Sequence, residues 1–190
     1  MKNEEIRFSR LSADVLSEVT RAVSMVDDSQ AEAVAEKLIA ARKVFAIGVG
    51  RVMIMLQAFV KRLNHLGIEA FYVGEVNEPA ITADDVLIVA SGSGESVVPV
   101  AIEKVALKFK PTVIYIGSNM SSTAAGMANL KLRIPCRTKL NLPDELSSVQ
   151  PMSSLFEQSL LLTLDTLAYM IVEKKQLVMK DLWHTHANLE

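Results

Sequence analysis

The stretch Val86-Leu-Ile-Val-Ala-Ser-Gly-Ser-Gly-Glu-Ser96 decides the fold class of this chain. Its first five residues are all apolar, without the alternation of a half-exposed strand, which is typical of a strand buried on both faces of a parallel sheet. The next six residues contain two glycines and three serines, which is the composition of a turn. A helical pattern follows over residues 97–109. A buried strand that turns directly into a helix predicts one repeat of an α/β fold.

Strands and helices alternate in the same way on both sides of this stretch. The predicted strands cover residues 44–47, 70–73, 86–90, 112–116 and 130–134. The predicted helices between and after them cover residues 51–66, 97–109, 121–127 and 153–174. This alternation predicts a three-layer α/β sandwich, of flavodoxin or Rossmann type, in which helices flank a five-stranded parallel sheet.

Two further helices are predicted before the sheet, over about residues 9–41, and a tail of about residues 176–190 follows it. Ser12 and Asp28 are the predicted N-caps of these two helices, because their side chains can accept hydrogen bonds from helix-start N–H groups. The chain has no linker or low-complexity segment. We therefore expect one domain over residues 1–190, with the N-terminal helices packed on it.

The composition excludes several classes of protein. Half of the residues are hydrophobic and 22% are charged, which excludes a globally disordered chain. The mean hydropathy of +0.27 is high for a soluble protein of this size, so we expect part of the surface to be buried between subunits. The net charge of −2 gives no electrostatic basis for binding nucleic acid or an anionic membrane surface.

Neither disulfides nor a membrane anchor is expected. Cys136 is the single cysteine, which excludes an internal disulfide framework and a cysteine metal cluster. Residues 1–10 are polar and lack the apolar core of a signal peptide. The most apolar stretch, residues 154–172, contains Glu157, Gln158 and Asp165, which would be costly in lipid. We predict a cytoplasmic protein in which this stretch is a buried or interface helix.

The Gly/Ser turn after residues 86–90 is the first candidate for a binding site. Ligands of open parallel sheets bind beyond the carboxyl ends of the strands. Here glycine backbones, serine hydroxyls and the positive end of the next helix would together form a site for a phosphate monoester. The predicted phosphate-binding residues are Ser91, Gly92, Ser93, Gly94, Glu95 and Ser96. The alternative interpretation is a Gly/Ser turn with a helix cap.

The turn after the first strand, Gly48-Val-Gly50, leads into Arg51. A dinucleotide fingerprint would need a third glycine where Met53 stands, and no Gly-rich GK[ST] loop occurs in the sequence. Gly48, Gly50 and Arg51 therefore form a second candidate binding segment, in which the guanidinium contacts a phosphate or sugar oxygen. The alternative is that Arg51 is a solvated residue at the start of a helix.

Moving a proton between carbons next to a carbonyl requires a base and donors that hold the resulting enediolate. Glu157 is the candidate base, because it lies in the first turn of an otherwise apolar helix; the alternative is a carboxylate that only complements the helix dipole. His65 is a further candidate for the site. Because it lies at the end of a helix, just before Gly67, the alternative is that it only caps that helix. His184 and His186 could chelate a metal, but no cluster of carboxylates or cysteines completes such a site.

In combination, these segments resemble a known family. The turn at residues 48–51 and the loop at residues 91–96 resemble the sugar isomerase (SIS) domain, and other segments are similar to the 6-phospho-3-hexuloisomerase family. These segments are Arg-Leu-Asn-His-Leu-Gly at 62–67, Val-Gly-Glu at 73–75 with Pro79, Gln-Pro-Met at 150–152, Ser-Leu-Phe-Glu-Gln at 154–158 and His-Ala-Asn-Leu-Glu at 186–190. The resemblance covers nearly the whole chain.

The resemblance implies a function and a set of roles. Members of this family interconvert D-arabino-3-hexulose 6-phosphate and fructose 6-phosphate without a metal or organic cofactor, in the ribulose monophosphate route of formaldehyde fixation. They form tetramers whose active sites are completed by neighbouring subunits, and the tail of about residues 176–190 would complete a site. By resemblance, Ser91, Ser93 and Ser96 would bind the phosphate and Arg51 the substrate. Glu157 would carry a proton between C2 and C3 through a 2,3-enediolate, and His65 and His186 would assist ring opening or proton transfer.

Two departures from the family pattern affect the expected substrate. Val52 stands where the family usually has Ser, so a hydroxyl donor worth about 1–3 kcal/mol is missing. Glu78 stands where the family usually has Thr and adds a negative charge that we expect near the anionic substrate. There are therefore two alternatives to a hexulose-phosphate isomerase. One is an isomerase of another phosphosugar, and the other is a non-catalytic sensor that binds a sugar phosphate and regulates a partner.

Overall fold

The fold is built on a parallel sheet of five strands, as the sequence predicts. A computed structural model describes residues 6–186 and 188–189. The strands are β1 (Val44–Ile47), β2 (Ala70–Tyr72), β3 (Val86–Ala90), β4 (Thr112–Gly117) and β5 (Leu130–Arg133). Their order is β2-β1-β3-β4-β5, and every neighbouring pair is parallel. The chain reverses its direction of progress across the sheet between β1 and β3, which is where ligands bind in such sheets.

The helices form two layers, one on each face of the sheet. They are α1 (Phe8–Val23), α2 (Asp28–Ala40), α3 (Arg51–His65), α4 (Val97–Ala106), α5 (Thr123–Met127) and α6 (Ser154–Lys175). Alternate residues of β3 enter different cores: Val86 and Ile88 pack with the layer of α2, α3 and α6. Leu87 and Val89 pack with the layer of α4 and α5. Both faces of the strand are therefore buried, which explains its unbroken apolar run.

The predicted helix boundaries are close to the observed ones, but both predicted N-caps are wrong. Helix α1 begins at Phe8, so Ser12 lies inside it, and the Ser12 hydroxyl donates to the Ser9 carbonyl. Asp27 rather than Asp28 caps α2, by accepting a hydrogen bond of 2.9 Å from the Gln30 N–H. A capping side chain must precede the first helical residue, and Asp28 is already helical. The helix predicted over 97–109 ends at Ala106 and continues as a 3₁₀ turn.

Helix α6 is the central helix of its layer. By length and composition it could span a membrane, yet 61% of its most apolar 18 residues are buried inside the protein. It packs against α1, α2 and α3, so it is the buried helix that the sequence predicts. It runs parallel to α3: Arg51 donates to Glu157 at one end of the pair, and the Lys175 ammonium donates to the Leu66 carbonyl at the other.

The segment after α6 returns along the end of α3. Its 3₁₀ turn, Asp181–Thr185, is fastened by the Thr185 hydroxyl, which donates to the His65 carbonyl at 2.8 Å. The predicted tail of residues 176–190 lies only partly within the structure, because Ala187 and Glu190 are outside the described residues. Residues 1–5 of the polar N-terminus are also outside them.

Candidate active site

A cavity of about 330 Å³ opens beyond the carboxyl ends of β1 and β3. Four segments line it: the turn after β1, the loop after β3, the loop after β5, and the start of α6. The lining residues are Val49, Gly50, Arg51, Val52, Ala90, Ser91, Gly92, Ser93, Ser96, Thr138, Lys139, Met152, Ser153, Phe156 and Glu157. The volume is at the lower end of the roughly 300–1,000 Å³ that is usual for pockets binding small molecules.

The loop after β3 is a compact turn whose serines face the cavity. The Gly94 N–H donates to the Ser91 hydroxyl at 3.1 Å, and the Ser91 and Ser96 hydroxyls are 3.1 Å apart. Ser96 holds the N-cap position of α4, but its side chain does not cap the helix. The first N–H groups of α4 therefore keep their capacity to bind an anion.

Gly94 is required by this turn. Its φ is +66°, and a Cβ there would lie 2.0 Å from the Ser122 hydroxyl and 2.8 Å from the Tyr115 hydroxyl. The turn thus rests directly on β4 and the start of α5. Any side chain at this position would force the loop away from the sheet.

Tyr115 on β4 supports the loop from below, a role that the sequence analysis missed. Its side chain is fully buried, and its hydroxyl donates to the Ser91 carbonyl at 2.8 Å. Burial raises the pKa of this phenol, so it stays a neutral donor. A tyrosine in an otherwise aliphatic buried strand needs a hydrogen-bond partner, and that was the available signal.

Glu157 lies across the cavity from the loop and pairs with Arg51. The Arg51 Nε donates to Glu157 Oε2, and only 7% of Glu157 is exposed. Arg51 begins α3 directly after Gly50, whose φ of +58° turns the chain out of β1. The guanidinium is mostly exposed while the carboxylate is almost buried. The structure therefore joins the candidate base and the candidate substrate-binding cation in one ion pair.

Comparisons with known proteins identify what kind of protein this cavity belongs to. No model of a known protein family matches the chain. A 3-hexulose-6-phosphate isomerase of Bacillus subtilis is 32% identical to it, over 94% of this chain and 96% of that protein. One of Mycobacterium gastri is also 32% identical, over 93% and 88%. The chain belongs to the 3-hexulose-6-phosphate isomerase family.

Solved structures confirm the SIS fold of this isomerase. A Methanococcus jannaschii protein, whose crystal structure was taken to imply 3-hexulose-6-phosphate isomerase function, superimposes with a TM-score of 0.82. The two are 25% identical, and the match covers 95% of this chain and 99% of that one. The resemblance inferred from the sequence segments is therefore confirmed for the family and for the fold.

Several residues that the sequence analysis assigned to the site do not line the cavity. Glu95 follows the serine loop, but its carboxylate accepts from the Thr123 N–H at 2.7 Å and holds the start of α5. Gly48 and Gly94 belong to the two turns but are not among the residues that line the cavity. Glu78, expected near the substrate, accepts from the Gly74 N–H at 2.7 Å and lines a separate depression beside Phe45. Val52 does line the isomerase cavity.

The two candidate histidines lie far from Glu157 within one chain. The rings of His65 and His186 stack with their centroids 5.3 Å apart, at the carboxyl end of α3. Helix α3 has 15 residues, so this end is about 21 Å from Arg51. A single chain therefore does not bring the candidate histidines together with Glu157, the candidate base.

The cavity is also lined by residues that the sequence analysis did not assign to the site. They are Val49, Ala90, Thr138, Lys139, Met152, Ser153 and Phe156. Thr138 and Lys139 come from a loop after β5 in which no regular spacing marks a site. In the described part of the chain, no three side chains of His, Cys, Asp or Glu come together as a metal site would require. Burial raises the pKa of Cys136 to about 11, so its thiol stays protonated.

Helix α1 fixes the segment that leads into α6. The Glu18 carboxylate accepts hydrogen bonds from the Ser148 hydroxyl at 2.7 Å, the Val149 N–H at 2.7 Å and the Gln150 amide at 3.0 Å. Partial burial raises the pKa of Glu18, but these hydrogen bonds together lower it below the ordinary value. The segment continues into Met152, Ser153 and the first turn of α6, so α1 contributes to the position of the cavity wall.

Proposed function

We propose that this protein interconverts D-arabino-3-hexulose 6-phosphate and fructose 6-phosphate through a 2,3-enediolate. The observation that carries the proposal is that one cavity contains both a loop suited to a phosphate monoester and a nearly buried carboxylate paired with an arginine. A phosphate anchor on one side and a base on the other would orient a sugar phosphate for proton transfer between adjacent carbons.

Phosphate binding is assigned to the loop after β3. The hydroxyls of Ser91, Ser93 and Ser96, the loop N–H groups and the start of α4 supply donors without a positive side chain. Their anion-binding strength comes from the helix dipole and from the convergence of several N–H groups. Because Tyr115 fixes the Ser91 carbonyl, these donors are in place before the substrate binds.

Glu157 is assigned the proton transfer. From open-chain fructose 6-phosphate it removes the proton on C3; the C–H electron pair forms the C2=C3 double bond, and the carbonyl electrons move to O2. The same carboxyl group then returns the proton to C2, the hydroxyl proton on O3 passes to O2, and the C3 carbonyl forms. Atoms and charge balance without any cofactor. Arg51, already beside this carboxylate, would stabilise the charge on the enediolate oxygens.

The histidines are assigned to the cavity of a neighbouring subunit. His65 and His186 cannot reach their own Glu157, so we propose that a homotetramer brings them to another chain's cavity, where they would assist ring opening. Exposed apolar side chains along α1, α6 and the tail support such interfaces. They include Leu16, Leu162, Tyr169, Met179 and Trp183. We place the protein in the cytoplasm and in the ribulose monophosphate route.

Deuterium exchange tests the chemistry. Incubation with fructose 6-phosphate in D₂O should place deuterium at C3 and produce the 3-ketose, as followed by NMR. Glu157→Gln should lose exchange by at least about 100-fold while still binding the sugar phosphate. Glu173→Gln, on an exposed part of the same helix, is the matched control and should keep full exchange. Exchange at C1 instead of C3 would contradict the proposed 2,3-enediolate.

Mixing of inactive variants tests the shared site. Glu157→Gln and His65→Ala should each be inactive alone, but hetero-oligomers assembled from the two should contain some cavities with both groups intact. We expect co-refolded mixtures to recover a measurable fraction of the wild-type rate. If the mixture stays as inactive as its parts, although size-exclusion chromatography shows assembly, the histidine does not act across subunits.

A further inference from the structure

The cavity lining contains one more positive side chain than negative ones. Among the residues that line it, Arg51, Lys139 and Glu157 are the ionisable ones. Arg51 and Glu157 form an ion pair with each other. The phosphate-type loop contributes neutral donors, whereas a sugar phosphate brings about two negative charges at neutral pH. Lys139 is therefore the positive charge of the lining that no neighbouring carboxylate of the lining offsets.

The backbone around Lys139 is held rigidly by one carboxylate. Glu145 accepts from the Thr138 hydroxyl at 2.7 Å, the Thr138 N–H at 3.0 Å and the Leu142 N–H at 2.9 Å. The Thr138 hydroxyl in turn accepts from the Leu140 N–H at 3.1 Å. Lys139 lies between these fixed points with an exposed side chain. Such a turn presents a flexible lysine from a well-defined position.

This turn sits directly on the phosphate-type loop. A Cβ on Gly92 would lie 3.3 Å from the Thr138 methyl group, so the Thr138 side chain packs against the backbone of the loop at Gly92. The electrostatics agree: the Thr123 N–H and hydroxyl, and then the Lys104 and Lys139 ammonium groups, lower the pKa of Glu95. Lys139 also lines the same cavity as the loop residues Ser91, Ser93 and Ser96.

We propose that Lys139 is a substrate-binding residue whose ammonium contacts the phosphate of the sugar phosphate held by the Ser91–Ser96 loop, with Glu145 as its positioning residue. This inference rests on the proposed function in that the loop binds a phosphate group. It adds a charged contact to a site that would otherwise hold a dianion with neutral donors and a helix end. A lysine suits this task because a compact point charge can follow the phosphate without a fixed geometry.

Binding measurements with three probes test the assignment. For Lys139→Met we expect the dissociation constants of fructose 6-phosphate and of inorganic phosphate to rise by the same factor, about tenfold. Unphosphorylated fructose, if it binds measurably, should bind equally well to both proteins. Lys139→Arg should recover most of the affinity. In kinetics KM should rise about tenfold while kcat changes less than about threefold.

Lys104→Met is the matched control, because Lys104 also acts on Glu95 but does not line the cavity. It removes the same charge and should leave the affinity for inorganic phosphate within about twofold. An unchanged phosphate affinity in Lys139→Met, or an equal loss in Lys104→Met, would overturn the assignment. The phosphate titration needs no turnover, so its outcome is independent of whether the proposed isomerisation is correct.

Discussion

Glu103 on α4 should make the stability of this protein depend on pH. Its side chain is fully buried, and neither carboxylate oxygen has a hydrogen-bond partner in the described part of the chain. Burial raises its pKa from 4.5 to about 7. Because the folded pKa exceeds the unfolded one, folding favours the protonated form. The cost of ionising Glu103 is absent below pH 4.5, grows as the pH rises, and is complete above pH 7.

The size of this cost follows from the shift in pKa. At about 1.4 kcal/mol per pKa unit, it reaches about 3 kcal/mol at pH 8. Glu103→Met replaces the carboxyl group with an apolar one of similar length. We therefore expect the variant to gain about 2–3 kcal/mol over the wild type between pH 5 and pH 8.

Urea unfolding followed by circular dichroism at pH 5, 6, 7 and 8, at one protein concentration, measures this difference. Glu173→Met, which removes an exposed carboxylate from α6, should follow the wild type in parallel across the series. If the stabilities of Glu103→Met and the wild type run parallel with pH, Glu103 does not ionise at the expense of folding. That result would refute the conclusion that Glu103 is buried without a hydrogen-bond partner and costs free energy when it ionises.

Three further predictions concern the cavity and its supports. Gly94→Ala should lower the free energy of unfolding by about 2–4 kcal/mol, because its Cβ would collide with Ser122, whereas Gly67→Ala, also at positive φ but with free space, should cost only about 1 kcal/mol in thermal unfolding. Glu18→Ala should cost about 1–2 kcal/mol near pH 7, and the difference should vanish as the pH falls through the lowered pKa of Glu18; equal losses at pH 3 and pH 7 would contradict this. Val52→Ser should lower KM for fructose 6-phosphate by about fivefold in steady-state assays, and a KM that rises would show that the apolar side chain belongs to the substrate fit.

The three central strands, β1, β3 and β4, were predictable because they are buried along nearly their whole length. An unbroken apolar run such as residues 86–90 has few other interpretations when a turn and a helix follow it. The position of the candidate cavity was predictable because the carboxyl ends of parallel strands lie at the same edge of the sheet. The N-caps were not, because Asp27 and Asp28 are chemically identical and only the backbone conformation decides which one caps α2.

The composition of the site was less predictable because it depends on distances that local patterns do not contain. Glu95 belongs to the most suggestive motif of the chain, yet its carboxylate holds α5 instead of facing the cavity. Lys139 belongs to no motif, yet it lines the cavity. His65 lies in a segment characteristic of the family, but it is far from Glu157. The reason is that α3 and α6 run parallel, with His65 at the end of α3 and Glu157 at the start of α6.

The buried thiol of Cys136 provides the protein with an intrinsic reporter. It lies just after β5, fully buried, with its Sγ 3.6 Å from the Ser159 hydroxyl of α6. A water-soluble thiol reagent can reach it only when α6 separates locally from the sheet edge. Because no other cysteine can react with the reagent, the labelling rate of the unmodified protein measures how often this local opening occurs. A ligand that closes the cavity should slow the labelling, so ligand occupancy of the cavity and local opening of the same region can be measured together.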